Sequence, residues 1–457
     1  MGFVNRVSEL AELRRWWSSP RPRPAMLWGR RRVGKTLLLG EFARDLPTVF
    51  HTGTGQAAAG ELADMSRKVA QFQPRPLRNL AEQPYQSWQE ALEDLARLAE
   101  KTPLLLVLDE FPELVQASGE LPGVIRAFLD RTHGHTELRL LLCGSAVRHM
   151  EALLDSRAPL YGRFDLTLQL HPFTPSESAL MLPDLAPADR AVVHGIVGGV
   201  PLYLSWWDQN ASIPDNIQRL VCRPFAPILS EGRLILATEV DRGDLPAAVL
   251  HAIAAGKTKH NEIKEWVKAD PTRTLDHLIQ LRLVERLIPV TETTASRRKL
   301  YRITDNLLAF YLNVVNRHLP EIERGLGHSI LPVILDSLDD HLGDPWEAAF
   351  RDQLRRMAIA GQIAPDVVAV GPFWTADGHN EIDAVVLAGR SRRPVLAGEA
   401  KWATTVSAQR TVAHLTRKID ALPGKPHDVQ FVVCARETVT HQTEGLRVIT
   451  AADIFEP

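Results

Sequence analysis

The stretch Gly29 to Thr36, GRRRVGKT, leaves few folds open to the chain around it. It fits the spacing G-x-x-x-x-G-K-[ST], follows the apolar run AMLW at 25–28 and opens into the helix-like TLLLGEFA. Glycines let the backbone curl until successive N–H groups face one point, and the following helix adds the positive end of its dipole. That geometry suits phosphate. Lys35 is placed to reach the β and γ phosphates of a nucleotide such as ATP, and Thr36 to hold Mg2+. Gly29, Arg30, Arg31, Arg32, Val33 and Gly34 form the rest of the cradle.

A chance glycine turn would need no matching acid downstream. The run LLLVLDEF supplies one, with Asp109 ending a strongly apolar strand and Glu110 following it. Ligands of open α/β sheets bind at the carboxyl ends of the strands. Asp109 is therefore expected to support the Mg2+, and Glu110 to orient or deprotonate the attacking water. A further strand, LRLLLCGS, ends in Ser145, where a polar group senses the γ-phosphate through that water. Arg163, in APLYGRF, is either a surface arginine or a cation that stabilises transition-state charge, from within the chain or from a neighbour.

Lys plus Arg total 53 against 55 Asp plus Glu, a formal net charge of -2, so any DNA contact must come from local basic patches. Hydrophobic residues at 45% and charged residues at 24% are the balance of a globular protein, and the length suits about three domains. Apolar runs such as LLLVL fall short of the roughly 18 residues that span a bilayer, so no membrane partner is expected. The N-terminus lacks an apolar signal core, and Arg6 stands where a myristoylation motif wants Ser or Thr. A cytoplasmic protein is expected. Cys143, Cys222 and Cys434 form neither a disulfide framework nor a metal knuckle and read as buried apolar groups.

Continuous apolar runs at AMLW, TVF (48–50), LLLVL (104–108) and LRLLLC (138–143) read as strands of a parallel sheet buried on both faces, over 1–172. A small helical lid follows over 173–235. Between 236 and 318 come two helices, a longer helix at TRTLDHLIQLRLVERL, and two strands, VERLIPV and KLYRIT, the order of a winged helix. There Arg273, His277, Arg282, Arg297, Arg298 and Lys299 either reach DNA phosphates or form the solvated face of a packing module. From 319 to 457 the pattern is a second α/β unit: a helix at PWEAAFRDQLRRMA, strands IDAVVL and PVLAGEAKW, a helix at VSAQRTVAHLTRKID, and the run VQFVVCA.

In that last unit Asp383 heads one apolar strand, and Glu399-Ala-Lys401 lies near the end of the next. Residues two apart on a strand project to one face, so Glu399 and Lys401 point together while Ala400 faces the core. The loop GRSRR suits a hairpin that brings Asp383 alongside Glu399. Two such carboxylates can hold Mg2+ or Mn2+, and a nearby lysine can activate water or stabilise charge on a scissile phosphate. Glu347, on the inward face of its helix, could complete the acidic cluster. An ordinary Glu399–Lys401 salt bridge, or a site that binds nucleic acid without cutting it, are the alternatives.

In order, FVNRVSEL, GRRRVGKT, LLLVLDEFPEL, CGSAV, PLYGR and GGVPLYL resemble the archaeal-type ATPases of the STAND and AAA+ group over residues 3–205. The resemblance implies that Asn5 and Arg6 lie near the adenine, that Gly199 to Pro201 sit in the lid beside the nucleotide, and that nucleotide-dependent switching and a homo-oligomer accompany ATP. Residues 340–457 resemble the PD-(D/E)xK, or restriction-endonuclease-like, superfamily. That implies Glu347 as the helical acid, Asp383 and Glu399 as metal ligands and Lys401 as the catalytic lysine. The expected architecture is thus α/β: a P-loop NTPase parallel sheet with helical lid, then a winged helix, then a restriction-endonuclease-like domain. The expected activity is an ATPase coupled to a metal-dependent DNA nuclease; a nucleotide-dependent switch or DNA-binding regulator without nuclease turnover is the alternative.

Overall fold

The computed structural model describes residues 3–72, 79–132, 134–238, 243–293, 295–424 and 428–456. The chain divides into two compact units, Met1–His171 and Pro172–Pro457.

The first unit is built on a parallel sheet of five strands, in the order β2-β3-β4-β1-β5. These are β1 (Ala25–Trp28), β2 (Thr48–Thr52), β3 (Leu104–Asp109), β4 (Leu138–Gly144) and β5 (Leu166–Gln169). Every residue of β1, β3 and β4 is buried, which is why their sequences run apolar without alternation. One face packs against Met65, Trp88, Leu92 and Ile125, the other against Leu13, Trp16, Leu38 and Leu39. β5 escapes the sequence reading because it is a half-exposed edge strand of four residues, LTLQ, with no continuous apolar run.

In the second unit the helix Pro187–Val197 is buried from Ala191 to Val197. His194 is buried, its Nδ1 3.0 Å from the Ser178 hydroxyl, and its backbone carbonyl accepts from Asn306 at 2.8 Å. His341 lies 3.3 Å from the Gly195 carbonyl. Three helices, Asp244–Ala254, His260–Val267 and Thr272–Gln280, precede an antiparallel ribbon of β6 (Val284–Leu287) and β7 (Leu300–Ile303). The third helix stops at Gln280, seven residues short of the run expected from its apolar period, because Arg282 adopts a left-handed φ of 56° and turns the chain into β6.

A mixed sheet in the order β14-β12-β10-β9-β8 completes this unit. It comprises β8 (Val367–Trp374), β9 (Glu381–Ala388), β10 (Arg393–Lys401), β12 (Gln430–Ala435) and β14 (Arg447–Ile449); β11 (Thr405–Ser407) and β13 (Thr438–Thr440) pair separately. β8, β9 and β10 are antiparallel neighbours, whereas β10, β12 and β14 run parallel. The helix Leu338–Ile359 packs on the sheet through Trp346, Phe350 and Leu354. It begins seven residues before Pro345, where the sequence placed its start, and carries the proline inside. Cys143, Cys222 and Cys434 are free and buried. Among the described residues no helix is long and apolar enough to cross a membrane.

Candidate functional sites

A cluster of chemically capable side chains lies in each unit. In the first, the carboxyl ends of three adjacent strands converge. The register Trp28↔Gly144 sets Ser145 beside Gly29, and Leu108↔Leu142 brings the end of β3 next to them. The loop after β1 closes at Gly34, whose φ of 93° favours glycine, and the helix Lys35–Ala43 starts immediately after it. Lys35 is 6% exposed, and its ammonium donates to the carbonyls of Gly29 and Arg30, both at 2.9 Å. Thr36 Oγ1 donates to Asp109 Oδ2 at 3.1 Å, two hard oxygens placed together as Mg2+ requires.

Glu110 has a left-handed φ of 48°, which swings it out of line with β3. Ser145 then holds it from β4: the Ser145 N–H donates to Glu110 Oε2 at 3.2 Å and the hydroxyl at 2.8 Å. The structure thus joins Gly29–Thr36, Asp109, Glu110 and Ser145 in one site. Within the loop Arg30 is buried and Arg31 exposed, and Arg32 takes a left-handed φ of 72°. Asn5 and Arg6 are both left-handed, kinking the chain before the helix Val7–Ser18. The Arg6 guanidinium donates to the carbonyls of Val33 at 3.1 Å and His171 at 2.6 Å, so it braces the phosphate loop directly.

Arg163 is not brought to this site. It precedes β5, whose first residue pairs with Ala25 at the amino end of β1, and its guanidinium grips both Asp130 oxygens at 3.1 Å. Its neighbour Gly162 accepts from Arg23, before the same strand end. This is the sheet end opposite the phosphate loop, a strand length away, so Arg163 does not reach the phosphate loop of its own chain and pairs with Asp130 instead. Pro201 opens the helix Pro201–Ser205 in the second unit, after Gly199, where an added Cβ would lie 1.8 Å from the Phe173 carbonyl oxygen.

The second cluster lies on the mixed sheet. The pairing Gly398↔Ala384 sets Asp383 across from Glu399 on antiparallel strands. Asp383 is 7% exposed and Glu399 5%. Asp383 Oδ2 accepts from the Ala400 N–H at 2.8 Å. Lys401 donates to Glu399 Oε1 at 2.7 Å. Burial, with the charges of Glu347 and Glu399 behind it, pushes the Asp383 carboxyl up to about 7. Burial also raises that of Glu347.

Glu347 reaches this group through Arg351, which lies 3.4 Å from Glu347 and donates to the Asp383 carbonyl at 2.9 Å. Asp383 and Glu399 supply facing hard oxygens, which fit a divalent ion, although among the described residues no three His, Cys, Asp or Glu side chains form a ready cage. Two residues here were not read from the sequence. Arg351 was signalled by its spacing of four from Glu347, and Lys418 by sharing a helix face with buried Thr411 and Leu415. Lys418 donates to both Glu399 oxygens, at 3.0 and 3.1 Å.

Residues 311–413 match a family described as archaeal and bacterial proteins of unknown function. An uncharacterized protein of Methanocaldococcus jannaschii is 24% identical over 406 residues, 88% of this chain and 87% of its own. An uncharacterized ATP-binding protein of the same organism is 50% identical over 40 residues, 9% of this chain and 68% of its own. The Walker-type ATPase of Pyrococcus abyssi shares the fold with a TM-score of 0.54 at 19% identity, covering 68% of this chain and 96% of that one. Residues 3–205 match the family described as an ATPase domain predominantly from Archaea, and with the phosphate loop, Asp109 and Glu110 assembled as above, this part of the chain is an archaeal-type ATPase domain.

Proposed function

We propose that the protein is an ATP-regulated, divalent-metal-dependent DNA nuclease. The observation that carries the reading is Asp383 facing Glu399 across β9 and β10, with Lys401 two residues on and touching Glu399. Helix, three antiparallel strands, helix and parallel strand follow one another here, which supports a restriction-endonuclease-like fold. Asp383 and Glu399 would hold Mg2+ or Mn2+, which supplies Lewis-acid stabilisation of a phosphodiester. Lys401 orients the attacking water and offsets charge on the phosphate, and Arg351 fixes the Asp383 backbone.

DNA contact falls to the ribbon and the third helix of the winged-helix-like region. A cleft of about 990 Å³ lies between the ribbon and the turn joining β8 to β9, lined by Lys259, Arg286, Arg297, Arg298 and Lys299 and reaching Glu381, two residues before Asp383. Arg298 is committed elsewhere, to Glu292 and the Trp374 carbonyl. Exposed Arg273, Arg282 and Arg297, with His277 and Lys299 nearby, are the phosphate contacts. In the ATPase site Lys35 binds the β and γ phosphates, Thr36 and Asp109 hold Mg2+, and Glu110, set by Ser145, activates water. Arg163 acts on the nucleotide of a neighbouring molecule in a homo-oligomer.

Purified wild type is expected to cut supercoiled or linear DNA with Mg2+ or Mn2+, and Asp383→Ala to lose cleavage while keeping ATP binding. Undiminished cleavage by Asp383→Ala would remove the metal assignment. The lysine grip on Glu399 favours a second reading, a nucleotide switch that binds DNA without cutting it. No cleavage by wild type that binds ATP would select it.

A further inference from the structure

We infer that Lys418 is an internal counter-ion that a divalent cation must displace from Glu399, and that the freed ammonium then takes the phosphate of the DNA. The inference rests on the metal-dependent reading above and names how that site is regulated.

A carboxylate offers about four lone-pair directions. Lys418 donates to both Glu399 oxygens, at 3.0 and 3.1 Å, and Lys401 adds a third contact at 2.7 Å. Glu399 is only 5% exposed, so few other approaches to its oxygens remain. The two lysines are mounted differently. Lys401 is part of β10 itself, whereas Lys418 comes from the last turn of the helix Ala408–Ile419, which packs beside β10 and β12. Its ammonium stands at the end of a flexible four-carbon arm whose side chain is 22% exposed. Lys418 can therefore swing away while its helix stays docked through Ala408, Thr411 and Leu415.

Charge decides the consequence. Arg351 pairs with Glu347, and both Lys401 and Lys418 pair with Glu399. An incoming divalent ion thus meets a carboxylate already held by two ammonium groups, and gains it as a ligand only as Lys418 gives it up. Once exchanged, the site carries a positive excess, and Lys418 is within an arm's length of it. A phosphodiester fits that state: it holds Lys418 off Glu399 and so favours the metal. Metal and DNA are predicted to bind with positive coupling, each tightening the other by the same factor.

Mn2+ binding to the nucleotide-free protein, read by electron paramagnetic resonance, tests this without recourse to activity. Lys418→Met is expected to bind Mn2+ about tenfold more tightly than wild type. Lys418→Arg, which keeps the cation, should stay within about twofold of wild type. Adding a short uncut DNA duplex should tighten Mn2+ binding in wild type and change it little in Lys418→Met. Mn2+ affinity in Lys418→Met equal to or weaker than wild type would overturn the inference, provided its circular dichroism matches wild type. If wild type binds Mn2+ no better than Asp383→Ala, the metal-site reading itself fails. If that difference is present and only Lys418→Met fails to tighten, the metal site stands and the exchange does not.

Discussion

The phosphate loop and the carboxylate cluster rest their lysines on different partners. Lys35 donates to two neutral carbonyls of its own loop, whereas Lys401 and Lys418 sit on Glu399. Carbonyls carry no formal charge, so the loop yields its ammonium to a phosphate at small expense. A carboxylate offsets the lysine's charge, so under the proposed exchange the second site frees an ammonium for an anion only once a metal takes Glu399.

Removing the cation should therefore act in opposite directions at the two sites. Lys35→Ala is expected to weaken ATP binding about a thousandfold, since it takes away a buried charge aimed at phosphate. It should leave Mn2+ binding at Asp383 and Glu399 unchanged; titration with a fluorescent ATP analogue and with Mn2+ would check both. Next in size is Glu110→Gln, which keeps the contact with Ser145 and the loop intact. ATP affinity should stay within about threefold while hydrolysis falls about a hundredfold, measured as phosphate release. A drop in affinity that matched the drop in rate would move Glu110 from catalysis to binding.

The smallest effect, residue by residue, comes with acid. His194 and His341, both in the second unit, are held by burial at about 4, below the usual 6.5 of histidine. As pH falls through 6.5 the unfolded chain takes up protons that these folded side chains refuse, so stability is lost between about 6.5 and 4. Each should cost about 2 kcal/mol by pH 5. Thermal scans from pH 7.5 to 5 should show His194→Gln with His341→Gln gaining stability relative to wild type as pH falls, while Asp383, whose raised carboxyl takes up its proton in the folded chain, works in the opposite direction in both proteins.

What the sequence revealed follows the same divide. Gly29–Thr36 is contiguous, and its partners Asp109, Glu110 and Ser145 lie at or directly after the end of a strand buried on both faces, so one-dimensional apolar runs located them. The carboxylate site draws on one helix, two strands and a second helix. Asp383, Glu399 and Lys401 were legible because strand alternation and one hairpin relate them. Arg351 and Lys418 were harder, being amphipathic side chains whose stems pack inward and whose charges read as solvated. β8 was hidden by the Gly371-Pro372 pair, at which its register against β9 shifts. Whether Arg163 serves its own chain was not legible, because sequence order says nothing about which end of a sheet a residue reaches.

The most direct test of an ATP-regulated nuclease is the rate of DNA cleavage by wild type and Lys35→Ala, with saturating Mn2+, as ATP is added. Cleavage by wild type that changes severalfold with ATP, beside cleavage by Lys35→Ala that ignores it, is the predicted result. Equal responses of the two proteins to ATP, or no cleavage by either, would contradict it.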